Sequence, residues 1–328
     1  MSKLADVAKT AQSLSLTAME EASRVGLRTS DIDHLFLALV LSDQHAGRVL
    51  RGSGITLEEA RRAVAEQHAA QLASVGISVG AADPGRIVFN ETGGYTWSDR
   101  VLDIFKESCR GGKRGDAAAV LRELLDEPSG MIAEVLYRLG TSPDTIRRRL
   151  DEDAPTARSA VPVSADGLTG HAELFVPAPV DEVWMLLADP FRMPDWEPSI
   201  GGVVDAGGPV RPGDVLTAYR RDRRPDGKPL RIAPALRRIR VEVDAVQEQF
   251  SIAWSFSTPD APDANTRYVR ISLAPTDGGT RLRMTQAWQR HPARRVGPVR
   301  ARLLRPLYRF VTWMQLSQLC VAIGRVFR

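Results

Sequence analysis

Hydrophobic positions recur every three or four residues over most of the first 150 positions and every second residue over much of the remainder. The first period predicts helices and the second predicts strands. From Leu4 to Asp151 helix follows helix, separated by short Gly, Ser and Asp stretches. Beyond them, residues 170–176 alternate as a strand and stop at Pro177-Ala178-Pro179. A helix is expected over residues 182–187, with Asp181 as its N-cap and Asp189-Pro190 as its stop, and a shorter one over residues 191–196. Six further strands are expected at residues 201–206, 215–220, 239–246, 250–257, 266–274 and 280–289, with Asp277-Gly278-Gly279 the plainest turn. Residues 299–327 read as one long helix in which Arg302, Arg305, Arg309, Thr312 and Gln315 form a polar stripe and apolar residues fill the rest. So wide an apolar arc needs cover, and the preceding strands make a sheet the expected partner. One strand, two short helices, six strands and a terminal helix give an antiparallel α+β meander with helices on one face.

The helical half repeats itself. The segment HLFLALV from His34, then Gly47–Gly54 and the run from Ile55 to Arg62, returns as the run from Val120 to Leu125, then residues 133–140 and 141–148. Each copy is too small to bury its own apolar face, so the two are expected to pack on each other. Thr56 and Ser142 are natural N-caps, and Glu59 completes a capping box with Thr56.

Residues 26–34 (GLRTSDIDH), the leucine run after them and the LEEARR segment resemble the repeated N-terminal domain of the Clp unfoldase ATPases, over roughly residues 4–151. That resemblance implies a domain that receives adaptors and substrates. In some members an acidic residue just before the His of each repeat binds phosphorylated arginine. The matching position here is Asp33, beside His34, so these two are the candidate peptide-binding residues; the second copy has Ala118 in that place. Asp33 can equally cap or support the helix beginning near His34. No stretch matches G-x-x-x-x-G-K-[ST], so the chain carries the receiving domain without a motor.

Charge divides at the same place as periodicity. Residues 1–155 hold 19 basic and 23 acidic side chains, whereas residues 156–328 hold 25 and 17. The acidic, then Pro-, Ala- and Ser-rich run at residues 152–167 reads as a linker, giving domains at 1–151 and 168–328. Cys109 and Cys320 fall in helices of different domains, which argues against a disulfide framework and fits a reducing cytoplasm. No zinc-ligand spacing or secretion signal is present, and Thr312, Gln315, Ser317, Gln318 and Arg325 interrupt the one near-membrane-length apolar run. Residues 220–240 are strongly basic but lack interleaved aromatics, so nucleic acid is not expected as a partner.

Residues 177–198 (PAPVDEVWMLLADPFRMPDWEP), followed by that strand order, resemble the START-like helix-grip superfamily, also called SRPBCC, including its polyketide cyclase/dehydrase branch. The resemblance implies a curved sheet gripping the C-terminal helix around a largely apolar cavity. Strand alternation puts Phe250, Ile252, Trp254 and Phe256 on one face, Val269, Ile271 and Leu273 on another, and Leu282, Met284, Gln286 and Trp288 on a third. With Trp184, Trp196, Leu307, Phe310, Val311 and Met314 they are the expected lining, or alternatively a plain core. Gln286, polar between Met284 and Trp288, needs a hydrogen-bonding partner. No catalytic residue, metal site or cofactor is assignable. The two resemblances together imply a non-catalytic protein that binds a hydrophobic small molecule and docks proteins, as an adaptor or decoy for Clp protease components. A cyclase or dehydratase, or lipid binding at membranes, is the alternative.

Overall fold

The structure is a computed structural model that describes residues 3–77, 87, 94–152, 169–204, 207–208, 210–224, 227–291 and 298–328. The expected linker lies, Glu152 apart, outside these residues. The chain forms two compact units, Met1–Arg158 and Ser159–Arg328.

The first unit is helical: α1 (Lys3–Arg24), α2 (Ile32–Val40), α3 (His45–Gly52), α4 (Leu57–Ser74), α5 (Asp99–Cys109), α6 (Ala117–Leu125), α7 (Met131–Arg138) and α8 (Pro143–Glu152). Two short strands, β1 (Thr29–Ser30) and β2 (Thr96–Trp97), pair in parallel. Every residue of α2 is buried, so this helix is the axis of the core. Its cap is Asp31, and Asp33 lies one position inside the helix rather than at its end. The expected Thr56–Glu59 capping box is formed, and Ser142 Oγ accepts from the Thr145 amide at 3.2 Å. The two copies tie into each other. Gln44 ahead of α3 accepts from the Ala117 amide at the start of α6, and Arg149 of α8 donates to the Gly52 carbonyl at the end of α3.

The second unit is a seven-stranded antiparallel sheet in the order β3-β9-β8-β7-β6-β5-β4, where β3 is Thr169–Val176, β4 Ile200–Val204, β5 Val215–Arg220, β6 Arg238–Gln247, β7 Ser251–Ser257, β8 Thr266–Thr276 and β9 Gly279–Gln289. Between β3 and β4 lie α9 (Val180–Ala188), a 3-10 turn and α10 (Met193–Trp196). Pro179, not Asp181, occupies the cap position of α9 and makes no side-chain bond there, while Asp189 caps the 3-10 turn by accepting from the Phe191 amide at 2.9 Å. The long helix α11 (Pro298–Val326) closes the unit. Five of the chain's six tryptophans lie in this unit; only Trp97 lies in the first.

The β8–β9 turn brings β9 back beside β3. Gly279 there has φ 159°, and a side-chain carbon on it would stand 2.2 Å from the Val176 carbonyl oxygen. Thr280 Oγ1 donates to the Ala178 carbonyl at 2.8 Å, fastening the β3–α9 corner to this turn. Gly170 answers a different need. A side-chain carbon there would meet Thr312 Cγ2 at 2.7 Å and Leu316 Cδ1 at 2.9 Å, so the bare backbone of β3 is where α11 seats. The core lies between the inner sheet face and α9, α10 and the C-terminal half of α11, with Leu316, Leu319 and Ile323 buried in it.

Candidate ligand-binding site

Three rows of side chains cross the inner face of the sheet, because residues paired in register share a face. The first contains Ile252, Ile271, Met284 and Ala172. The second contains Val243, Trp254, Val269, Gln286 and Gly170. The third contains Val241, Phe256, Arg267 and Trp288. Ile252, Trp254, Phe256, Met284 and Gln286 are all buried here, as is Trp196 of α10. Trp184 packs half-buried against the same core, and Trp288 is half-buried.

Four expected lining residues stand elsewhere. Phe250 is 62% exposed, because the β6–β7 turn, with Gln249 at φ 60°, extends through it and β7 begins only at Ser251. Leu307, Phe310 and Met314 are exposed because α11 presents its other side to the sheet. At 100° per residue they lie opposite Thr312, Leu316, Leu319 and Ile323, the stripe that Gly170 admits. Thr312 and Gln315, two members of the polar stripe, therefore face inward; Thr312 is buried and Gln315 half-buried.

Gln315 joins the sheet in a short polar chain. Trp288 Nε1 donates to Gln315 Oε1 at 3.2 Å, and Gln286 Nε2 donates to the same oxygen at 2.6 Å. Gln286 Oε1 has no hydrogen-bond partner although the residue is fully buried, and the same holds for the indole nitrogens of Trp196 and Trp254. Buried polar atoms are rarely left so.

Arg267 was not anticipated. Counting back from Val269 by two places it on the inner face, and an arginine at an inward position was the available signal. Its guanidinium lies 2.7 Å from Glu197 Oε2, off the line of its N–H bonds, and 4.5 Å over the Phe256 ring. Glu197 is almost fully buried and also accepts from Ser199 Oγ at 2.6 Å. On β5, Arg220 donates to the Leu236 carbonyl; burial, and secondarily the charge of Arg267, holds its pKa below the ordinary arginine value.

In the first unit Asp33 and His34 are both buried. Asp33 Oδ1 lies 2.7 Å from His34 Nδ1, and Asp33 Oδ2 lies 2.8 Å from Nε2 of His68 on α4. Burial pushes the Asp33 pKa up, but the hydrogen bonds from His34 and His68 outweigh it and hold the carboxyl well below the usual range. His68 is shifted upward by its bond to Asp33 against a smaller effect of burial. Both carboxylate oxygens are thus engaged from within the fold. Nothing in the sequence pairs His68 with Asp33, since their meeting depends on how α4 packs on α2. Among the described residues no three His, Cys, Asp or Glu side chains are grouped to hold a metal, and no helix is long and apolar enough to cross a membrane.

Residues 170–314 match the family model described as "Polyketide cyclase / dehydrase and lipid transport". With the sheet and gripped helix, the match supports an SRPBCC-like domain at residues 170–314. Similar solved structures include protein CV1439 from Chromobacterium violaceum, at 18% identity over 48% of this chain and 97% of that one, with a TM-score of 0.32. Protein Ms6760 from Mycobacterium smegmatis is 23% identical over 51% of this chain and 96% of that one, at a TM-score of 0.34. Protein NE0264 from Nitrosomonas europaea is 19% identical over 51% and 99%, at 0.32. No match was found among curated proteins.

Proposed function

We propose that the second unit binds a hydrophobic small molecule between the inner face of β6–β9 and the helices α10 and α11, without transforming it. What carries this reading is the match of residues 170–314 to a cyclase, dehydrase and lipid-transport family, borne on a sheet whose inner rows are apolar apart from a few buried polar atoms. Such an interior, mostly greasy with isolated polar groups, suits an apolar guest whose orientation is fixed by one or two contacts. Native mass spectrometry of gently purified protein tests it. A retained organic mass is the expected result; its absence, together with no uptake of added apolar compounds, retires the proposal.

The first unit is proposed as a protein-docking module for Clp components, adaptors or substrates. Its support is the helical repeat without a motor motif, not Asp33, whose oxygens are already held by two histidines. A pull-down that recovers no Clp subunit, adaptor or substrate removes that half. The Glu197–Arg267 pair favours a second, catalytic reading, since it puts a carboxylate and a guanidinium against the inner face. Turnover of a polyketide-like substrate that is lost in Glu197→Gln, at a temperature where circular dichroism shows the variant's second unit still folded, would establish it.

A further inference from the structure

The last stretch of the chain is charged in one sense only. After Asp277 it holds eleven arginines and no Asp, Glu or Lys. Four of them, Arg300, Arg302, Arg305 and Arg309, fall in the first half of α11. That placement works against the helix. The amino end of a helix is its positive end and favours acidic side chains, of which the first turn has none. Pro306 adds to the cost, because it cannot donate to the Arg302 carbonyl four residues back and its ring crowds that oxygen. The sheet gives no compensating cover here. No residue from Leu304 to Val311 is buried, and the first that is, Thr312, begins the seated stripe. Arg305 and Arg309 stand exposed, without an acidic partner among the described residues. A helical segment this short is marginal in water even when its residues favour it, so this one calls for a partner outside the fold. Leu307, Phe310 and Met314, at 55%, 56% and 40% exposure, share one face of it, and Arg305 and Arg309 lie on the opposite face.

We infer that this half of α11 rests on an anionic lipid surface, with Leu307, Phe310 and Met314 at the acyl boundary and Arg305 and Arg309 among the lipid phosphates. An apolar face and an arginine face on one helix match the bilayer interface, where both are accommodated within a helix diameter. An acidic polymer would match the arginines and leave the three large apolar side chains in water. Lipid phosphates also supply the negative charge that the amino end of α11 lacks. Among the described residues no helix is long and apolar enough to cross a membrane, so the contact runs along the surface. The lipid here lies outside the fold, and the inference is independent of the guest proposed for the interior.

Flotation of the full-length chain with vesicles of phosphatidylcholine alone, and of phosphatidylcholine mixed with phosphatidylglycerol, tests it. Binding is expected to the mixed vesicles only, and to weaken as salt is raised. Arg305→Gln combined with Arg309→Gln should weaken it by about thirtyfold, the weight of two arginines at a charged surface. Leu307→Ser combined with Phe310→Ser should weaken it by at least about tenfold. Both pairs are exposed, and an unchanged urea midpoint shows that the loss is not unfolding. Arg231→Gln combined with Arg237→Gln removes the same charge from the exposed basic loop between β5 and β6, and should leave binding unchanged. Equal binding to both kinds of vesicle, binding to neither, or an equal loss in the loop variant overturns the inference. Capture of polyglutamate without vesicle binding makes an acidic protein the partner and overturns it too. None of these results bears on a small molecule retained in the interior, which the native mass measurement reads separately.

Discussion

Gly170 lets α11 rest on β3, and the cost of any side chain there is readable from its contacts at 2.7 and 2.9 Å. Gly170→Ala should destabilise the second unit by about 1–3 kcal/mol, the usual range for overpacking, measured as a lower urea midpoint. Asp33 and His68 form a pH-sensitive pair in the first unit. The carboxyl is held below its ordinary value of 3.8, so its contribution is fully present above that value and is lost as pH falls through the lower folded-state pKa. His68 is held above its ordinary 6.5, so its contribution is fully present below 6.5 and is lost as pH rises through the higher folded-state pKa. Stability of the first unit should therefore peak between about pH 4 and 6.5. In His68→Gln the decline on the alkaline side should disappear, as followed by far-ultraviolet circular dichroism in urea at pH 5.5 and 8.5. Neither Gly170 nor His68 was legible as a contact in the sequence, because each acts through a partner more than 30 positions away that only the packing brings close.

At the level of elements the pattern was more informative. Strand β5 falls at Val215–Arg220, where alternation put it, and α11 differs from its expected span by one residue at each end. The rows containing Trp254, Val269 and Gln286 also follow from parity. Parity broke at Phe250, where a turn residue at positive φ ends the alternation, and it was not pursued back to Arg267. The inward side of α11 could not be read at all, because apolar residues occupy almost its whole circumference and periodicity then selects no face. Leu319→Ala, on the seated face, should cost about 2–5 kcal/mol, whereas Phe310→Ser, on the exposed side, should change stability by less than about 0.5 kcal/mol. Denaturant titration of both variants distinguishes this seating from the reverse one.

For the whole molecule, two units with separate cores imply two unfolding events. Calorimetry of the intact chain should resolve two transitions, and Glu197→Gln should lower only the one belonging to the second unit. Leaving Arg267 with a weakened partner in a nearly buried position is expected to cost about 3–5 kcal/mol. A single transition shifted as one by that substitution would contradict the division.

The uneven placement of tryptophan gives the chain a built-in optical label. Excited at wavelengths that select indole, the second unit emits from five rings and the first from Trp97 alone. With Trp97→Phe, every emitted photon would come from the sheet-and-helix unit, so its occupancy and unfolding could be followed in the full chain without a dye, while the helical repeat stays dark.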